Sequence, residues 1–165
     1  YFEQAGALNE SLSDVFGALV KQYHRNQTAD RADWIIGEGL LAEGIQGKGL
    51  RSMSEPGSAY DDPLLGKDPQ PAHMKDFIKT REDNGGVHLN SGIPNRAFYL
   101  AATTLGGYAW EKAGRAWYDT VCDRSLAQNA DFASFAQLTV HHGEKRFDTA
   151  VAHAIEEAWK ATGVL

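Results

Sequence analysis

Apolar residues recur at helical spacing in five stretches of the chain and lose that rhythm in one long interval. Leu8, Leu12, Val15, Phe16, Leu19 and Tyr23 fall three or four apart, which predicts a first helix over 7–24. Gly6 precedes this run, and the polar stretch Asn26 to Asp30 closes it. The rhythm returns at Ile93. Phe98, Leu100, Ala101 and Leu105 predict a second helix, stopped by Gly106 and Gly107. Trp110, Ala113, Trp117 and Val121 predict a third. Phe132, Phe135, Leu138 and Val140 open a fourth, and Phe147, Val151, Ile155 and Trp159 a fifth that Gly163 stops.

Residues 25–92 differ in character. They are rich in Gly, Asp and Pro and carry little periodicity, with short helical turns expected near 34–41 and 71–79. A compact domain rarely keeps so long an irregular stretch unless it is functional or held by ligands. The predicted fold class is mainly α: an orthogonal bundle of about five helices with a long loop-rich insertion after the first.

Composition narrows the function classes. At 165 residues the chain is one domain with enough length to bury a core. Hydrophobic residues make up 42% but never form a long apolar run, so no membrane span is predicted. Sixteen Lys and Arg against 22 Asp and Glu give a net charge of −6. No basic stripe exists to neutralise phosphates, which argues against a nucleic-acid partner. The single Cys122 excludes an internal disulfide and any cysteine-based zinc ribbon. Placed on a helix, it reads as a half-buried structural thiol. The chain opens on Tyr1 without Met, directly before a helical pattern, and is expected to be a piece of something longer.

The chemistry concentrates in three places. Residues 83–95 read Asp-Asn-Gly-Gly-Val-His-Leu-Asn-Ser-Gly-Ile-Pro-Asn. Adjacent Gly85 and Gly86 permit a sharp turn with positive φ, and Pro94 with Asn95 suits the opening of a helix. The turn delivers His88 five positions after Asp83, either as a cap or as a carboxylate-held imidazole for proton or charge chemistry. Glu10 and Asp14 stand four apart on the first helix and share a face. They are a solvated pair or a metal ligand with a carboxylate that orients another ligand. Arg51 lies in a loop, as a surface ion-pair partner or as a fork for a carbonyl or carboxylate.

These pieces occur in a recognisable order. Ala7-Leu8-Asn9-Glu10 with Ser13-Asp14, then Leu50-Arg51-Ser52-Met53, then Asp83 to His88, then Asn90 to Asn95, resemble the C-terminal domain of the thermolysin family of zinc metallopeptidases. The wording around Trp34 to Glu38 and Gln70 to Met74 most resembles the protealysin-like branch. The resemblance covers the chain from Tyr1 to Val164. It implies that Glu10 is a zinc ligand and Asp14 the carboxylate that hydrogen-bonds a histidine ligand. It implies that His88 and Tyr1 stabilise the tetrahedral intermediate and that Asp83 orients His88. Arg51 would bind a substrate carbonyl. Ile36, Gly37, Leu40 and Leu50 would line the S1′ pocket, which makes a bulky hydrophobic residue the expected preference on the C-terminal side of the cleaved bond. The implied reaction is peptide hydrolysis by zinc-activated water.

The chain departs from the family pattern in informative places. No H-E-x-x-H occurs in it, so the general base and two zinc ligands are expected from an N-terminal peptidase domain that these residues do not include. The chain alone is expected to be inactive. His141 and His142 have the wrong spacing for such a motif and read as a solvated helix surface. Family calcium positions fall on Lys21, Asp33, Ile35 and Glu38, and another on Lys48. Lys21 puts a cation where calcium would sit, able to pair with Glu38, so calcium is not expected at Asp33 and Glu38. The competing reading is a degenerate, non-catalytic module that binds a peptide or partner. Tyr1, Glu10, Asp14, Arg51, Asp83 and His88 present together favour the enzyme. By resemblance the protein is expected to be secreted as a proenzyme, with a cytoplasmic location as the alternative for the protealysin-like branch.

Overall fold

The computed structural model describes residues 1–165, and the five amphipathic stretches, with one further short helix, join around one aromatic core. They are α1 (Glu3–Arg25), α2 (Asp83–Asn90), α3 (Gly92–Leu105), α4 (Ala113–Val121), α5 (Phe132–Arg146) and α6 (Thr149–Ala161). Trp117 and Trp159 stack 5.7 Å apart, and Phe98 and Phe135 meet Trp117 edge-on. All four rings are buried. One residue from each of α3 to α6 therefore meets at a single point, and edge-to-face aromatic packing holds the bundle together there. No helix is long and apolar enough to cross a membrane.

The mainly α class is as predicted, and the element ends differ for local reasons. α1 starts at Glu3 rather than at residue 7, because Gly6 lies inside it at a point of close approach to another helix. Trp110 stays outside α4, held in a turn where it stacks on Tyr108 with ring centroids 4.4 Å apart. Phe147 falls between α5 and α6, because the Asp148 carboxylate accepts the Val151 N–H and fixes the α6 start at Thr149.

The insertion holds one helix that the periodicity did not predict, α2, and is otherwise built from turns and short hairpins. Near 34–41 the chain forms strand β1 (Ile35–Ile36), paired antiparallel with β2 (Arg51–Ser52), instead of a helical turn. Strands β3 (Asp61–Asp62) and β4 (Gly66–Lys67) make a second small hairpin. Within 71–79 only Met74–Asp76 is helical, as a 3-10 turn. Buried carboxylates hold these loops through backbone N–H groups. Asp62 accepts from Gln46, Leu64 and Leu65, and Asp68 from Gly57, Ala59 and Gln70.

Two further expectations are corrected. Cys122 is exposed just past the end of α4, where helix geometry no longer turns it inward. His142 is buried rather than solvated, because its Nε2 lies 2.8 Å from Asp123 Oδ2 across the α4–α5 packing. Hydrogen bonds from Ser125, then the one with His142, hold the Asp123 carboxyl down at about 2.

Candidate active site

The site forms where α1, α2 and β2 converge. α1 and α2 come together because residue 6 has no side chain: a Cβ there would lie 2.5 Å from Val87 Cγ1. This approach carries His88, one residue after Val87, to the exposed face of α1 beside Tyr1 and Glu10.

The route to His88 is a left-handed turn. Asp83, Asn84, Gly85 and Gly86 have φ of 52°, 50°, 87° and 78°. The sharp glycine turn expected from the sequence is therefore longer, recruiting two non-glycine residues into the left-handed region, which Asp and Asn tolerate better than most. Gly85 also faces the start of α1, where a Cβ would meet Glu3 Cγ at 2.7 Å. The turn folds Asp83 back onto His88. Asp83 Oδ2 accepts the His88 backbone N–H at 2.8 Å, and Oδ1 lies 2.5 Å from Nδ1. Both carboxylate oxygens hold one residue, so the ring orientation is fixed and Nε2 points the other way.

At Nε2 stand the Tyr1 hydroxyl, 3.4 Å away, and Glu10 Oε2, 3.5 Å away. The Tyr1 hydroxyl donates to Glu10 Oε1. Local desolvation of its hydroxyl, then the Glu10 hydrogen bond and the charges of Glu10 and Asp83, push the Tyr1 phenol up to about 12. It therefore remains a donor throughout the neutral range.

Glu10 and Asp14 share a helix face as predicted but not an environment. Asp14 is buried, Glu10 only partly so. Asp14 takes a bidentate fork from Arg51, Nε to Oδ2 at 2.8 Å and Nη2 to Oδ1 at 2.7 Å. The same pairing raises the Arg51 pKa above its ordinary value. Asn95 Nδ2 also donates to Asp14 Oδ2 at 2.9 Å, and Ser11 Oγ donates to Asn95 Oδ1 at 2.7 Å. Asn95 and Ser11 escaped the sequence reading. The signal that could have found them is a polar residue on an otherwise apolar helix face.

The residues assigned to the S1′ pocket also gather. Ile36 pairs with Arg51 in the β1–β2 ladder. A Cβ on Gly37 would meet Leu50 Cγ at 2.7 Å and Leu40 Cδ1 at 3.2 Å, so both leucines close over that glycine. They remain exposed, at 69% for Leu40 and 42% for Leu50, forming one wall of a pocket rather than an enclosed one. A cleft of about 230 Å³ runs beside them between Asp14, Gly17 and Lys21 on α1 and Ile35 to Gly37.

At the far end of this cleft Lys21 fills a ring of oxygens. Its Nζ lies 2.7 Å from both Asp33 oxygens, 3.0 Å from Glu38 Oε2 and 3.2 Å from the Ile35 carbonyl. Arg25 reaches Glu38 Oε2 at 2.8 Å. Hydrogen bonds from Lys21 and Arg25, then their charges, hold the Glu38 carboxyl down at about 2, against an ordinary 4.5. A depressed carboxyl stabilises the fold fully above its unfolded pKa, and that contribution fades as pH falls from 4.5 towards 2. The urea midpoint of a Glu38→Gln variant should therefore change less over this acid interval than that of the parent. Parallel acid profiles would exclude the contribution.

A helical domain that sets a carboxylate-held histidine, a tyrosine hydroxyl and a glutamate side by side defines a class, and the known proteins agree with it. The sequence profile described as thermolysin metallopeptidase, alpha-helical domain matches residues 1–164. The chain belongs to the thermolysin family of metallopeptidases, as its C-terminal α-helical domain. Among solved structures it is similar to the precursor of protealysin, a metalloproteinase from Serratia proteamaculans, with 76% identity and a TM-score of 0.99. That match covers 100% of this chain and 51% of the other. It is 67% identical to an extracellular metalloprotease of Pectobacterium carotovorum, over 99% of this chain and 47% of that protein. It is 33% identical to thermolysin of Alicyclobacillus acidocaldarius, over 99% of this chain and 29% of that protein. The chain thus spans about half the length, or less, of these relatives.

Proposed function

We propose that the chain is the C-terminal half of a secreted zinc metalloendopeptidase that cleaves peptide bonds on the N-terminal side of bulky hydrophobic residues. The observation that carries this reading is the meeting of Tyr1, Glu10 and His88 Nε2 at one exposed point, with Asp83 gripping the opposite ring nitrogen.

The donor set fits a shared zinc site. Glu10 presents Oε2 at the surface of α1, 3.5 Å from His88 Nε2, while no group of three His, Cys, Asp or Glu side chains in this chain could hold a metal. Glu10 supplies one ligand and the N-terminal half the others. When bound, zinc polarises a carbonyl and lowers the pKa of a coordinated water.

This chain's own residues bind the peptide and receive charge. Arg51 commits Nε and Nη2 to Asp14 and presents Nη1 to a backbone carbonyl of the substrate. Leu40, Leu50, Ile36 and Gly37 receive the hydrophobic side chain beside it. The Tyr1 hydroxyl, turned from Glu10 Oε1, and His88 Nε2 face the oxygen that becomes negative when the carbonyl turns tetrahedral. Asp83 holds the imidazole at the angle this needs. Lys21 replaces a calcium ion between Asp33 and Glu38, so calcium has no place there.

The test is complementation. The 165-residue chain alone should leave a quenched peptide with Leu or Phe after the scissile bond intact. The chain joined to its N-terminal half should cleave it, and a glycine at that position should abolish most of the turnover. Binding of peptide without cleavage by the joined protein would instead support the degenerate module.

A further inference from the structure

His88 is held from both sides, and only one holder belongs to its own turn. Asp83 grips the ring and the backbone N–H. On the carbonyl side, Gln70 Nε2 donates to the His88 backbone oxygen at 2.7 Å and to Ser91 Oγ at 3.0 Å. Ser91 Oγ in turn donates to the same His88 oxygen at 3.1 Å. We propose that Gln70 is a positioning residue, acting through the His88 peptide to set where the imidazole meets the substrate. The proposal rests on the role given to His88 above.

Three observations support it. First, the geometry requires a primary amide. Two acceptors lie side by side, and one nitrogen with two N–H groups satisfies both. A carboxylate would place acceptor against the His88 carbonyl, and an apolar chain would leave that carbonyl with the Ser91 hydroxyl alone. Second, Gln70 is only 5% exposed, and its Oε1 is buried without a hydrogen-bond partner. Such an orphan is costly, and a side chain placed only to fill space would have no need of it. Third, Gln70 is itself fixed. Its backbone N–H donates to Asp68 Oδ1 at 3.1 Å, and Asp68 is pinned by the Gly57 and Ala59 N–H groups. The segment also presses on the α2–α3 junction, where a Cβ on Gly92 would lie 2.6 Å from the Pro71 carbonyl. Asp68, Gln70 and His88 thus form a chain of contacts from the insertion to the site.

The experiment is a double-mutant cycle in the complete enzyme. Gln70→Met should lower kcat about 10- to 100-fold with KM changed less than about twofold, the cost of a small misplacement at a reacting centre. Affinity for a phosphonamidate mimic of the tetrahedral state should weaken by the same factor. In a His88→Ala background, Gln70→Met should change kcat less than about twofold, because the group it positions is gone. An equal loss in both backgrounds, or a loss confined to KM, would overturn the proposal. If Gln70→Met does not fold, Ser91→Ala takes its place in the same cycle, with the same two outcomes decisive. If His88→Ala itself leaves turnover intact, the mechanism above fails instead.

Discussion

Replacing His88 with alanine in the complete enzyme should lower kcat by about 10²- to 10³-fold while KM and bound zinc stay near those of the parent, the usual consequence of deleting one donor to a developing oxyanion. The expectation follows from where Nε2 points. Asp83 occupies Nδ1 and the backbone N–H, so Nε2 is the only ring atom left to act, and it faces Tyr1 and Glu10. Nothing in that arrangement binds a ground-state peptide strongly, which is why the loss belongs in kcat. Glu10 keeps its helix position and its Tyr1 hydrogen bond in the variant, so metal content should survive. Turnover within about twofold of the parent would remove His88 from the chemistry.

The second large effect is on stability. Asp14→Ala should destabilise the protein by about 3 kcal/mol, the lower end of the cost of stranding one member of a buried ion pair. The Asp14 side chain is 6% exposed and that of Arg51 29%, so the guanidinium regains some water and the upper end is not reached. The Asn95 amide would lose its acceptor as well, and Ser11 with Asn95 would be left as a pair without an anchor. Urea unfolding of parent and variant at neutral pH measures the difference. A companion effect should appear in binding: the Arg51 fork would no longer be held, and KM for peptides should rise. A midpoint shift equivalent to less than about 1 kcal/mol would show that the pair behaves as an exposed one.

The sequence was most legible where packing is periodic. α1 and α3 to α6 bury one stripe each, and Trp117, Phe135 and Trp159 announced the core by spacing alone. The insertion was hidden because its order comes from single side chains bonding to backbone. Asp62 and Asp68 leave no periodic trace, and Asn90 stands in for a strand by exchanging both amide bonds with Ile78. At the site, the pairing of Asp83 with His88 was expected and is present, whereas the pairing of Asp14 with Arg51 was not foreseen. Asp14 and Arg51 are 37 positions apart and were read separately. His142 misled for the opposite reason: a polar pair looked solvated because its partner, Asp123, lies on another segment.

The left-handed passage from Asp83 to Gly86 decides which substitutions can be interpreted. Alanine at position 83 would remove the carboxylate and also place a residue ill-suited to φ of 52° in the chain. Its phenotype would mix lost charge with a re-routed backbone. Asparagine accepts the inverted hand and keeps the side chain's shape, so Asp83→Asn leaves the turn intact while turning one of the two acceptors that hold His88 into a donor.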